Sequence, residues 1–191
     1  MKRHLGPANK GTYLLVAALW ESYCEDVLAE TLDELIGATA DPHSLPVAIR
    51  RAVAKDVRAD PHELSPWVLA GTGWREVVKN RARRLCRETV FNSPKAGNVD
   101  ELFRRTLGIQ SITTSWTSVR ATDPRSALDE HLVRRGELAH RAARTTIAKR
   151  QVSDFYQLTS GLAESMDSTL GNFLLDAVGS DPFAARDAEE R

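Results

Sequence analysis

Residues 131–141 read His131-Leu-Val-Arg-Arg-Gly-Glu-Leu-Ala-His140-Arg141, and the fold turns on whether this is a helix with a polar pair set into it. Each residue advances a helix by about 100°, so positions 128, 132, 135, 139, 142 and 146 share one face. That face carries Leu128, Leu132, Arg135, Ala139, Ala142 and Thr146. Arg135 therefore falls in the middle of a stripe expected to be buried, where an unpaired charge is costly. It must snorkel to water, pair with an internal acid such as Glu25 or Glu101, or face something that needs a cation. His140, five residues on, points about 140° away from it.

Helical periodicity continues on both sides of this segment, and strand alternation is nearly absent. Asp123-Pro124 opens the motif helix, which the pattern carries to about Arg150. A last helix spans about Ser153 to Val178 and ends at Gly179-Ser-Asp-Pro182. Upstream, a long helix covers roughly Thr12 to Ile36, with Gly37 just past its end. Asp41-Pro-His-Ser-Leu-Pro46 breaks the chain, because proline lacks an amide donor and restricts its predecessor. A helix from about Val47 to Val57 follows, and Asp60-Pro61 reads as a helix start. Gly71-Thr-Gly73 resets the chain before a basic amphipathic helix over Trp74 to Val90. Trp67 and Trp74 flank that turn and are expected to anchor it. Asn92 to Asn98 reads as a loop, and Val99 to Leu107 as a short helix stopped by Gly108. Ile109 to Ser118 is a lone Thr-, Ser- and Ile-rich run, which cannot make a sheet and reads as loop and short helix. The fold class is all-α, one domain over 1–180 with a charged tail at 181–191, its two long C-terminal helices packed antiparallel.

Composition narrows the function. The chain has 191 residues, 42% hydrophobic and 27% charged, as expected of one globular domain. It contains no apolar run of about 18 residues to span a membrane, and Glu21, Glu25 and Asp26 interrupt the only stretch that could serve as a leader. The expected location is the cytoplasm, where Cys24 and Cys86 would be buried free thiols. They lack the partners of a zinc site, and no metal is expected. His4, His43 and His62 have no ligand spacing either. The Gly71-Thr-Gly73 turn lacks the strand and the Gly-Lys-Ser/Thr of a phosphate loop. Net charge is zero, yet cations cluster in Arg75–Arg87 and Arg134–Arg150. Two basic segments on a neutral chain point to a local anionic partner, RNA foremost, although solvated helix faces account for them equally well.

Three segments together carry a resemblance: Leu14-Leu-Val-Ala-Ala-Leu-Trp-Glu-Ser-Tyr-Cys-Glu-Asp-Val-Leu28, the run Phe91 to Phe103 continuing to Ile109, and Leu132 to His140. In this order they resemble the HEPN superfamily, in its RiboL-PSP-HEPN type, over roughly residues 12 to 175. The resemblance implies a helical bundle that dimerises through the motif helix. It implies a metal-independent endoribonuclease without cofactor, a toxin or defence effector, with a site assembled from two copies of the arginine and the histidine. In that site the RNA 2′-hydroxyl attacks the adjacent phosphorus and leaves a 2′,3′-cyclic phosphate. His140 acts as general base or acid, and Arg135 binds the phosphate and stabilises its growing charge. Arg134, Arg141 and Arg144 are the candidates for flanking phosphates, Arg144 because a continuous helix would place it on the face of His140. His131, one turn before Arg135, is a further candidate for the same cleft.

Two departures matter. Family members often carry a polar residue directly after the motif arginine, and here Gly136 stands four residues before His140. Some members are controlled by a cognate antitoxin that modifies a tyrosine four residues after the histidine, where this chain has Arg144, so that modification is not expected. A non-catalytic HEPN module that binds RNA or a partner protein, with Gly136 as the mark of lost activity, is the alternative.

Overall fold

Tyr13, Val16, Trp20, Cys24, Val27, Leu28, Thr31 and Leu35 recur every three or four residues and are all buried. They form the inner edge of α1, Gly6–Ala38, a rod about 50 Å long. It begins six residues earlier than the periodicity indicates, because Pro7 is at home in a first helical turn. This computed structural model describes residues 6–87, 93–118, 121–141, 144–180 and 182–183, with only the backbone of Arg141. Among the described residues five more bounded α-helices follow: α2, Val47–Ala59; α3, Gly73–Arg87; α4, Ala96–Thr106; α5, Pro124–Arg141; and α6, Lys149–Val178. No strand occurs among the described residues, and none of their helices is long and apolar enough to cross a membrane. The fold is all-α.

The spine of the molecule is α1 against α6. Asn9 meets Ile147, Tyr13 meets Phe155, Tyr23 meets Ala163 and Asp167, and Glu34 meets Ser180. Both sequence numbers rise together, so these two helices run parallel. Leu158, Leu162, Met166, Leu170 and Leu174, four residues apart, fill the seam and are all buried. Helix α5 meets α6 near the start of α6, where His131 stacks on Phe155.

Four local expectations change. The motif helix stops at Arg141 instead of continuing to Arg150, and α6 begins at Lys149. Thr145-Thr146-Ile147 is a run of three β-branched residues, which resist helix formation. The carbonyl of Ile147 accepts from Asn9, and the amide of Ala148 donates to the Gln151 side chain, so neither joins a helical ladder. Asp60-Pro61 starts no α-helix. The Asp60 carboxylate accepts the His62 amide at 2.9 Å, but Pro66 blocks propagation and only a 3-10 turn over Ser65–Leu69 forms. Trp67 in that turn is 74% exposed and anchors nothing, whereas Trp74 is buried. The loop reading of 92–98 also shortens, because α4 begins at Ala96.

Two contacts position the lower half. The Arg75 guanidinium donates to the carbonyls of Ile36 and Thr39, satisfying the end of α1 with a cation where the helix dipole favours one. Gly108 has φ +82, and a Cβ there would collide with that of Ala48, so only glycine lets α4 turn away beneath α2. Phe183 is buried in the core, so the segment expected as a free tail is packed at that residue; 184–191 lie outside the described residues.

Candidate functional site

Helix α5 is held by polar contacts at its start and by leucines along its length. The Asp129 carboxylate accepts the Ala96 amide at 2.9 Å, an anion at the N-terminus of α4, and Arg125 pairs with Asp100 at 3.0 Å. Leu128, Leu132 and Leu138 are buried. The buried face thus passes through Leu138 and not Ala139, which is exposed. Thr146 lies beyond the end of α5, and Ala142 lies outside the described residues.

His131 turns inward. Its Nδ1 is 2.7 Å from the Tyr13 hydroxyl, and its ring stacks on Phe155 with centroids 4.5 Å apart. Tyr13 is fully buried, and burial pushes its hydroxyl up to about 12, so it stays protonated. Burial likewise lowers the His131 imidazole below its ordinary value, with Arg134 adding to the effect. His131 is a neutral ring at pH 7.

Arg135 follows one turn later and is half-buried. Its Nη2 lies 4.0 Å from Oε2 of Glu21 on α1, with side chains 39% and 34% exposed. The internal partners expected for it, Glu25 and Glu101, do not serve: Glu101 bonds Arg104. Burial and the neighbouring Glu21 and Asp26 push the Glu25 carboxyl up, so the acids of α1 crowd one another. Glu21 at 4.0 Å is a loose partner, since charge-assisted bonds close to about 2.7–2.9 Å.

His140 sits in the last turn of α5, exposed, with no hydrogen bond or ion pair to another described residue. Arg134 is exposed as well. Arg144 is exposed and lies in a turn, not on the described helix that carries His140. The side chain of Arg141 lies outside the described residues. Among the described residues no hydrogen bond or ion pair links Arg135 with His140, or either of them with Arg134 or Arg144.

The other basic stretch is largely consumed by the fold. Arg75 caps α1, Lys79 pairs with Asp33 at 2.7 Å, and Arg81 and Arg84 both pair with Asp56. Arg83 and Arg87 stay exposed. Sequence alone does not separate these roles, because the pairing acids sit on other helices.

Gly136 is flanked by open space: a Cβ there meets nothing within 4 Å. Its φ is not in the left-handed region. Gly136→Ala is expected to raise stability by about 0.5–1 kcal/mol in urea unfolding, since alanine loses less backbone entropy in a helix.

The thiols are quiet. Cys24 is buried and its pKa is raised by burial, and Cys86, half-buried near Glu25, is pushed up to about 11. Among the described residues no three His, Cys, Asp or Glu side chains are placed to hold a metal ion.

The sequence profile of the RiboL-PSP-HEPN family matches residues 7–172. No curated protein and no solved structure matches the chain. The profile spans α1 through most of α6, including Arg135 and His140 on α5, and the helices it covers form an all-α bundle. The chain belongs to the RiboL-PSP-HEPN family.

Proposed function

We propose that the protein is a HEPN-type endoribonuclease, a cytoplasmic toxin or defence effector whose active site is completed by a second copy of the chain. The observation that carries this reading is the state of the motif pair. Arg135 is half-buried on α5 with only a loose partner, and His140 is exposed in the last turn. A structural arginine would hold a close, well-oriented carboxylate. A phosphate-binding one needs a partner that can be displaced. Two α5 helices crossing at a two-fold axis bring both pairs to one cleft, and Val133, 51% exposed on α5, offers apolar surface for the second copy to cover.

In that cleft the RNA 2′-hydroxyl loses its proton to the imidazole of His140 and attacks the neighbouring phosphorus. The 5′-oxygen leaves with a proton, and the products are a 2′,3′-cyclic phosphate and a 5′-hydroxyl. Arg135 stabilises the charge on the non-bridging oxygens. The need for the 2′-hydroxyl selects RNA over DNA. The arginines at 134, 141 and 144, with His131, would bind the flanking strand, and a cognate antitoxin would restrain the activity.

The experiment is to incubate the purified protein with structured and unstructured RNA in EDTA and to analyse the product ends. Cyclic phosphate ends without added metal are the expected result. A folded dimer that binds RNA or a partner protein but cuts none of a varied RNA set would instead identify a non-catalytic module, with Gly136 as the mark of lost activity.

A further inference from the structure

The start of α6 and the middle of α5 enclose a cleft of about 280 Å³, lined by Ala121, Ala127, His131, Arg150, Asp154 and Leu158. It is small beside the ~300–1000 Å³ of ordinary ligand sites, enough for one base. Three walls are apolar, and the polar groups are an imidazole, a guanidinium and a carboxylate.

Their chemistry argues against a phosphate. His131 is neutral, so Arg150 and Asp154 leave the cleft without net charge, and a carboxylate lining it repels an anion. Tyr13 engages Nδ1, so Nε2 is the ring nitrogen left to serve the cleft, and stacking on Phe155 fixes the ring plane. Arg150 and Asp154 stand one turn apart on α6, their closest polar atoms 3.5 Å apart. The Arg150 side chain is 90% exposed, so it can swing to a ligand at little cost. An acceptor pair beside an N–H fork is complementary to neighbouring donors and acceptors on a flat heterocycle.

We propose that this cleft is a guanine subsite, with Asp154 accepting from N1–H and the 2-amino group and Arg150 donating to O6 or N7. Guanine alone among the four bases offers two adjacent donors that occupy both oxygens of one carboxylate in one plane. Arginine facing O6 and N7 is the commonest specific contact to that base. An unstacked base in single-stranded RNA exposes both edges for such reading. The inference rests on the ribonuclease reading only for the RNA that presents the base.

The test separates the two. 5′-GMP, 5′-IMP, AMP, CMP and UMP are titrated into the full chain while the His131 ring resonances are followed by NMR. GMP is expected to shift them saturably and to bind about tenfold or more tightly than AMP, CMP or UMP, as one bidentate pair allows. IMP, lacking the 2-amino group, is expected to lose most of that advantage, and Asp154→Asn should abolish it. Ala127→Leu, which fills the cleft from α5, is the second variant should Asp154→Asn fail to fold. Equal response to all nucleotides, or a preference surviving both variants, overturns the guanine subsite. In a parallel arm, cleavage sites are mapped on RNA and on the same RNA with inosine replacing guanosine. Sites that track guanosine and move with inosine are expected. GMP selectivity with cleavage indifferent to guanosine overturns the claim that the base comes from RNA, leaving a free nucleotide as the occupant. GMP selectivity with no cleavage of any RNA overturns the ribonuclease reading and leaves the base site standing.

Discussion

His140→Ala is expected to lower the rate of RNA cleavage by about 10²–10⁴-fold, the range for a positioned general acid or base, and to leave the melting temperature unchanged. The second half of that expectation comes from exposure: the imidazole touches no described partner whose loss would be felt. Paired measurement of cleavage rate and thermal melting checks it. A variant that cleaves as fast as wild type would remove His140 from the chemistry altogether. A variant that melts early would mean that the ring is structural.

Arg135→Ala is the second large effect, a loss of about 10²–10³-fold, comparable to removing one preorganised donor from a developing oxyanion. Its effect on stability separates this role from that of a scaffold residue. The pair with Glu21 is 4.0 Å long and both side chains are more than a third exposed, so its contribution belongs with surface pairs of about 0–1 kcal/mol. Breaking a truly buried pair would cost about 3–5 kcal/mol. Urea unfolding and cleavage kinetics on the same preparation tell these apart. Mixing Arg135→Ala with His140→Ala protomers adds a further reading. A site assembled from two chains regains measurable activity in the mixture, whereas a site within one chain stays dead.

The helices of this protein were legible because their cores follow a strict period. Leu158 to Leu174 at four-residue steps, and Tyr13 to Leu35 on α1, announce buried edges that no turn signal interrupts. Ends were less legible. Pro66 overrides the start signal at Asp60-Pro61, and the three β-branched residues at 145–147 break a helical pattern that charge and apolar spacing continue. The parallel pairing of α1 with α6 had no local signal, because it depends on contacts between residues more than a hundred positions apart, such as Tyr23 with Asp167. The same limit applied at the site. Arg135 and His140 stood out by spacing, but Glu21, Tyr13 and Asp154 become neighbours of α5 only when α1 and α6 close on it. An odd polar residue in an apolar stripe is visible in one dimension; its partners are not.

The two quiet thiols have a practical consequence for the quaternary structure. Both cysteines of the chain are shielded and protonated at neutral pH, and only thiolates react quickly with maleimides. A cysteine introduced in place of the exposed Ser168 on α6 would therefore take a spin label selectively, with the native pair left untouched. Pulsed dipolar spectroscopy on such a protein would read the separation of two protomers directly, in solution and with or without RNA.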